Sequence, residues 1–216
     1  MKKILLVLLA TLLGSAAAYA DHSGERRYAV TVTNITANQT FTPLLLVSHK
    51  RSISLFRAGD AASAELATIA ESGNITPMAD LLNGLPDKVY ATANSEGLLG
   101  PGASVTVEIS ATKKFDRLSL AGMLIPTNDT FVALNTVRLP RYYASHMVPA
   151  YDAGSEHNDE LCANIPGPVC GGAGPSDEDG EGFVHISSGI HGIGDLEASA
   201  YDWRNPVARV AVKRIY

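Results

Sequence analysis

Cysteine is scarce: Cys162 and Cys170 are the only two in 216 residues. That excludes a disulfide-dense scaffold. One pair with seven residues between its members also lacks the short spacing of a zinc knuckle. Beyond the N-terminus there is no apolar run approaching the 18 or so residues that cross a bilayer as a helix. Positive charge is in deficit, with 17 Lys and Arg against 22 Asp and Glu and a formal net charge of -5. An acidic chain is a poor candidate for binding nucleic acid or anionic membrane surfaces. Catalytic signatures are missing as well. The chain has no G-x-S-x-G elbow, no H-E-x-x-H, no phosphate-cradling glycine loop and no dinucleotide fingerprint. It has no internal repeat.

What is present begins with the compartment. "MKKILLVLLATLLGSAAAYA" carries two lysines, an apolar run from Ile4 to Leu13, and then small residues. The run is too short to span a bilayer, and Ala18 and Ala20 stand where a signal peptidase reads. The expectation is a secretory signal over residues 1–20 and a mature chain of residues 21–216. Losing Lys2 and Lys3 would make the exported chain more acidic still. Its length suits one well-buried domain and is short for two. An oxidising space favours a Cys162–Cys170 disulfide over a thiolate metal site. Closing so short a loop contributes about 2–3 kcal/mol in the chain-entropy model.

Strands and helices follow from period and punctuation. In "RRYAVTVTNIT", Tyr28, Val30, Val32 and Asn34 alternate against Ala29, Thr31, Thr33 and Ile35, which predicts a strand. "PLLLVSH" (43–49) reads as a buried strand. "RAGDAASAELATIAESGN" then changes period: Ala61, Ala64, Leu66, Ala67, Ile69 and Ala70 lie at helical spacings, and Gly73 and Asn74 stop the run. "TPMADLLNGLP" predicts a second short helix, with Thr76 as cap, Pro77 in the first turn and Gly84 at the end. β-character returns in "KVYATA", "SVTVEISA", "LSLAGMLI" and "TFVAL", and "PVARVAVKRI" is a closing strand. Between Leu139 and Glu181 the pattern dissolves into glycine, proline and acids, which predicts a long loop. The fold expected is mostly β: an antiparallel β-sandwich with two short helices after the second strand.

The residues offer two kinds of chemistry. His185 and His191, with Asp195 nearby, lie in "FVHISSGIHGIGDL" and are candidates for a metal-dependent hydrolase. The plainer reading is that they hydrogen-bond within a turn-rich surface. No pair among His49, His146, His157, His185 and His191 has the i, i+4 spacing of a helical zinc site. The second possibility is calcium, which takes six to eight oxygens from carboxylates and carbonyls in irregular loops. "YDAGSEHNDELCANIPGPVC" (151–170) places Asp152 and Glu156 around Gly154, and Asp129 sits at a loop-to-strand junction in "IPTNDTFVAL". By composition alone such acids are ordinary solvated side chains. "SDEDGEG" (176–182) is a rival loop, but aligning Asp177, Asp179 and Gly180 on the EF-hand puts Pro175 and Ile186 at ligand positions. It is expected to be a mobile acidic loop with at most weak ion binding. Glycosylation sequons begin at Asn34, Asn38, Asn74 and Asn128, and matter only in a eukaryotic secretory route.

Four segments, in order, resemble one known family. "TPLLLVSHKRSISLFRAGDAASAELATIAESG" (42–73) is similar to the opening of the spondin N-terminal domain, a Ser-Pro-Leu strand leading through a His to an Ala-Ser helix. "IPTNDTFVAL" resembles its Pro-x-x-Asp-Trp-Phe-Val-Gly stretch, "YDAGSE" its Tyr-Asp-Ala-Gly-Thr-Asp/Glu stretch, and "NPVARVAVKRIY" its last strand. The resemblance implies a β-sandwich and a calcium ion between loops at one end, with Asp129, Asp152 and Glu156 as ligands. Asn158, Asp159 and Glu160 are reserves. The family's Trp is Thr130 here and its following Gly is Ala133, and after Glu156 the chain looks like the bacterial branch. What the resemblance implies about function is a non-catalytic, calcium-binding adhesion or recognition module, periplasmic or extracellular. Its partner would be a protein, glycan or cell-surface ligand. The alternatives are the hydrolase above and a purely structural envelope protein.

Overall fold

The structure, a computed structural model, describes residues 24–175 and 179–216. The expected signal sequence lies outside the described residues, as do Ser176, Asp177 and Glu178 of the acidic loop. Two antiparallel sheets face each other. The smaller joins β1 (Arg26–Asn34), β5 (Ser104–Ala111), β8 (Tyr143–Val148) and β11 (Ala208–Arg214) in the order β5-β1-β11-β8. The larger has the order β10-β9-β7-β6-β3-β4. Its strands are β3 (Leu45–His49), β4 (Val89–Asn94), β6 (Arg117–Ile125), β7 (Thr130–Arg138), β9 (Ala150–Asp152) and β10 (His185–Ile186), with the two-residue β2 (Thr40–Phe41) paired to β6. The first and last long strands pair, Tyr28 opposite Arg214 through Asn34 opposite Ala208.

Helices add a third layer, which explains two different strand patterns. On β1 every second residue is buried, because one face meets the other sheet and the other meets solvent. On β3 and β6 nearly every residue is buried. One face of this sheet packs Leu46, Leu118, Leu120 and Leu124 against Val30, Val107 and Val210 of the smaller sheet. The opposite face carries Leu45, Val47, Ala121 and Phe131 under α1 (Ala64–Ser72) and α2 (Thr76–Asn83), which contribute Leu66, Ile69, Met78 and Leu82. Both helices follow the second long strand, as expected. α1 starts at Ala64 behind an N-cap Ser63, and Gly73 ends it in the left-handed conformation. Thr76 is not the cap of α2. It is the first helical residue, and the Asn74 side chain accepts its N–H instead. A short α3 (Ala198–Tyr201), not signalled by the sequence, precedes β11.

The long loop expected between Leu139 and Glu181 is corrected by two strands inside it. β8 pairs with β11, and β9 pairs with β7. Cys162 and Cys170 form a disulfide across a turn beyond β9. Among the described residues no helix is long and apolar enough to cross a membrane.

Candidate metal centre

The centre is assembled by strand register from three distant segments. β9 is only three residues long and lies between β7 and β10, which places Thr130 and His185 directly opposite Asp152 on either side. The preceding residue on β9, Tyr151, points the other way and packs with Phe131 and Phe56, its ring centroid 4.8 Å from that of Phe56. Burying this aromatic cluster under the helical layer fixes which face of β9 the carboxylate occupies.

Asp129 ends the β6–β7 connection, and its backbone carbonyl accepts the Ala153 N–H. Its Oδ2 accepts hydrogen bonds from the N–H groups of Ser155 (2.8 Å) and Glu156 (3.1 Å). Oδ1 is buried and has no hydrogen-bonding partner among the described residues. Asp129 is 0% exposed, and Asp152 and Glu156 are each 1% exposed. Burial first, and the facing Asp152 carboxylate second, push the Asp129 carboxyl up to about 8, against the pull of the two N–H groups. Burial raises Asp152 too, opposed by the Gly154 N–H, by the Asn158 side chain and by the charge of His185.

Glycine brings in the third segment. Gly154 has a φ of +62°, and a methyl there would collide with the Phe183 backbone. A side chain at Gly180 would likewise collide with the Gly154 and Glu156 backbones. With both positions bare, 179–183 lies flat against 154–156 and the Gly182 N–H bonds the Gly154 carbonyl at 2.8 Å. Glu181 thereby reaches Asp152. Asp152, Glu181 and His185 form a group whose ligand atoms lie within 4.8 Å of one another. His185 donates from Nδ1 to the Ile186 carbonyl at 2.9 Å, leaving Nε2 turned to Asp152 Oδ1 (3.4 Å) and Glu181 Oε2 (3.7 Å). Burial lowers the His185 pKa, but the carbonyl and the two carboxylates outweigh it and the net shift is upward. The Asn158 amide donates to Asp152 Oδ2 (2.9 Å) and to Glu181 Oε1 (3.3 Å), a positive edge between two carboxylates.

The sequence-derived residues divide accordingly. Asp129 and Asp152 face each other, and Glu156 is tied to Asp129 through its backbone N–H. Of these three only Asp152 belongs to the compact group with Glu181 and His185. Two reserves are committed elsewhere. The carboxylate of Asp159 accepts from Asn128, Asn164 and the Leu161 N–H, and these bonds outweigh burial and lower its pKa. The buried carboxylate of Glu160 accepts the N–H groups of His191 (2.5 Å), Gly192 (2.7 Å) and Ile193 (2.9 Å). His191 is therefore placed by its backbone on an exposed turn, and Asp195 accepts the Cys162 N–H. Sequence reasoning missed Glu181, which an EF-hand template discards. It also missed a buried pair in which His49 Nε2 lies 2.8 Å from Ser119 Oγ. That pair is sealed at 1% and 0% exposure, and burial lowers the His49 pKa. It bonds Asn135 and Thr136 of the bulged β7 and has no opening to a substrate. Asn34 and Asn128 are buried with their amides engaged, so only the sequons at Asn38 and Asn74 are exposed.

No curated protein matches the chain. The family model described as Spondin_N matches residues 27–158. That span contains Asp129, Asp152, Glu156 and Asn158, and stops short of Glu181 and His185. With more than half of its length matched, the chain belongs to the spondin N-terminal domain family.

Proposed function

We propose that this protein is an exported, non-catalytic module that binds calcium at the Asp129–Asp152 centre and recognises a surface, glycan or protein. The carrying observation is the bare Oδ1 of a fully buried Asp129, turned on a second buried carboxylate. With no donor among the described residues aimed at it, that oxygen is satisfied by a proton shared with Asp152 or by a cation. The facing carboxylates of Asp129 and Asp152 offer hard oxygens, which suit calcium, and Glu156, whose N–H already bonds Asp129, is the third acid assigned to the ion. Bound there, the ion would supply the positive charge that two buried carboxylates lack. Asn158 would then exchange its donating edge for its carbonyl oxygen. Family membership and the disulfide support export. The periplasm and the extracellular space are equally compatible with these features.

Calorimetric titration of the mature chain with calcium tests the reading. The expected affinity is in the extracellular range of about 0.1–1 mM. Asp129→Ala, Asp152→Ala and Glu156→Ala should each weaken it at least tenfold. Unchanged affinity in all three variants removes the site. A zinc arm belongs in the same experiment, because the imidazole of His185 beside Asp152 and Glu181 suits a borderline metal better than calcium. Zinc-dependent hydrolysis lost in His185→Ala would favour the hydrolase, which retains only His185 of its expected residues. Pull-down with and without chelator separates recognition from a purely structural role: a partner released on chelation argues for recognition.

A further inference from the structure

The end of the sandwich opposite the metal centre carries the reverse charge. Arg26 begins β1, Arg214 ends β11, Arg138 ends β7, and Lys113 and Arg141 stand in the adjoining connections. All five line one cleft of about 640 Å³ between the ends of the two sheets, with Asp116 as the only acid among the described residues that line it. A chain with fewer basic than acidic residues thus gathers five cations around one carboxylate. Like charges brought together repel, so such a grouping is unfavourable unless an anion offsets it.

Three of the guanidinium groups are held in place. Asp116 pairs through Oδ2 with Nε of Arg138 at 3.3 Å, while its Oδ1 takes Arg117 at 3.4 Å. Arg214 donates from Nε to the Tyr216 carbonyl at 3.0 Å. Arg141 lies over the Tyr142 ring at 5.1 Å. In the first two the contact uses Nε, which leaves the terminal nitrogens to offer the fork that matches a sulfate, phosphate or carboxylate. The cleft falls within the 300–1,000 Å³ range of small-ligand sites.

We infer that this basic cleft is a binding site for an acidic polysaccharide, recognised through its sulfate, phosphate or uronate groups. Concavity selects a linear chain over a flat anionic bilayer, which cannot enter the space between two sheet ends. None of the described residues lining the cleft is aromatic, so they form no stacking platform of the kind single-stranded nucleic acid needs. The inference is independent of calcium. β7 runs from the metal centre to the cleft, and its nine residues separate the two by roughly 25–30 Å.

The test uses the full mature chain in chelator, so that loss of the metal reading and loss of this one are distinguishable. Probes are dextran sulfate, polygalacturonate, neutral dextran, inorganic sulfate and phosphatidylglycerol vesicles. Dextran sulfate or polygalacturonate should bind, neutral dextran should not, and log affinity should fall against log salt with a slope of roughly -2 to -4, as for three to five released counterions. The double variant Arg138→Glu, Arg141→Glu should weaken binding at least tenfold with unchanged unfolding temperature, since both side chains are exposed. Arg209→Glu, near the other end of β11, makes half that charge change away from the cleft and should leave binding within about twofold. Failure of both acidic polysaccharides to bind overturns the inference. So does equal loss in Arg209→Glu, which would mean a net-charge effect. Binding to the vesicles alone replaces the polysaccharide with a membrane. Displacement by inorganic sulfate at equivalent charge concentration reduces the cleft to a simple anion site.

Discussion

Replacing Asp129 by Asn should separate what the carboxylate costs from what it does. Its folded-state pKa of about 8 stands above the unfolded value of 3.8. The native state therefore holds a proton that the unfolded state releases, and metal-free stability falls as pH rises from about 4 to about 8. At pH 7 the difference between folded and unfolded proton affinity corresponds to roughly 4 kcal/mol, at 1.36 kcal/mol per unit. Asn carries no such burden. Its carbonyl can accept the Ser155 and Glu156 N–H groups that Oδ2 accepts now, and its amide can donate to Asp152 from the position of the bare Oδ1. In chelator at pH 7 the variant should gain on the order of 2–4 kcal/mol, a rise in Tm of roughly 5–15 °C for a chain of this size. In 10 mM calcium the order reverses in kind: wild type gains stability by mass action and Asp129→Asn does not. Differential scanning calorimetry in the two buffers reads both effects. A variant less stable than wild type in chelator and still stabilised by calcium would mean that Asp129 neither carries this burden nor holds the ion.

Three further outcomes follow. Because a cation must displace the Asp129 proton, the calcium-induced Tm shift of wild type should grow between pH 5.5 and 8 and level off above, as read by a thermal scan at each pH. Gly154→Ala forces a left-handed backbone and a collision with Phe183, and should cost about 2 kcal/mol or more in urea unfolding while weakening calcium binding. Glu160→Gln removes the charge that accepts three backbone N–H groups and should cost about 2–3 kcal/mol without changing calcium affinity, because its oxygens serve the 191–193 turn.

The parts of this fold that could be read from sequence are those where local pattern and final environment agree. β1 and β5 alternate because each has one solvent face. β6 is a continuous apolar run because helices cover one of its faces and the smaller sheet the other. β8 was hidden because it is an edge strand, paired on one side only, with exposed Tyr143 and Met147 interrupting the pattern. β9 is too short for any period to show. At the site, Asp129 and Asp152 were legible through resemblance, and their facing was not, because it depends on the cross-strand register of β7, β9 and β10. Glu181 lies in the acidic loop 176–182, and a single-loop calcium template, which tests spacing along the chain, does not single it out. This centre is set by two bare glycines that let one loop lie on another. Asp159 and Glu160 looked available and are not. The left-handed turn at Glu160, with φ of 57°, sends its carboxylate to the 191–193 backbone.

Crystals grown in calcium and collected at a wavelength that excites calcium scattering would show whether an ion occupies the Asp129–Asp152 centre. The expected result is an anomalous peak between Asp129 Oδ1 and Asp152, with oxygen ligands at about 2.3–2.6 Å and the Asn158 amide turned to present its oxygen. Crystals at millimolar calcium with no peak there, and with Asn158 still donating to Asp152 and Glu181, would contradict it.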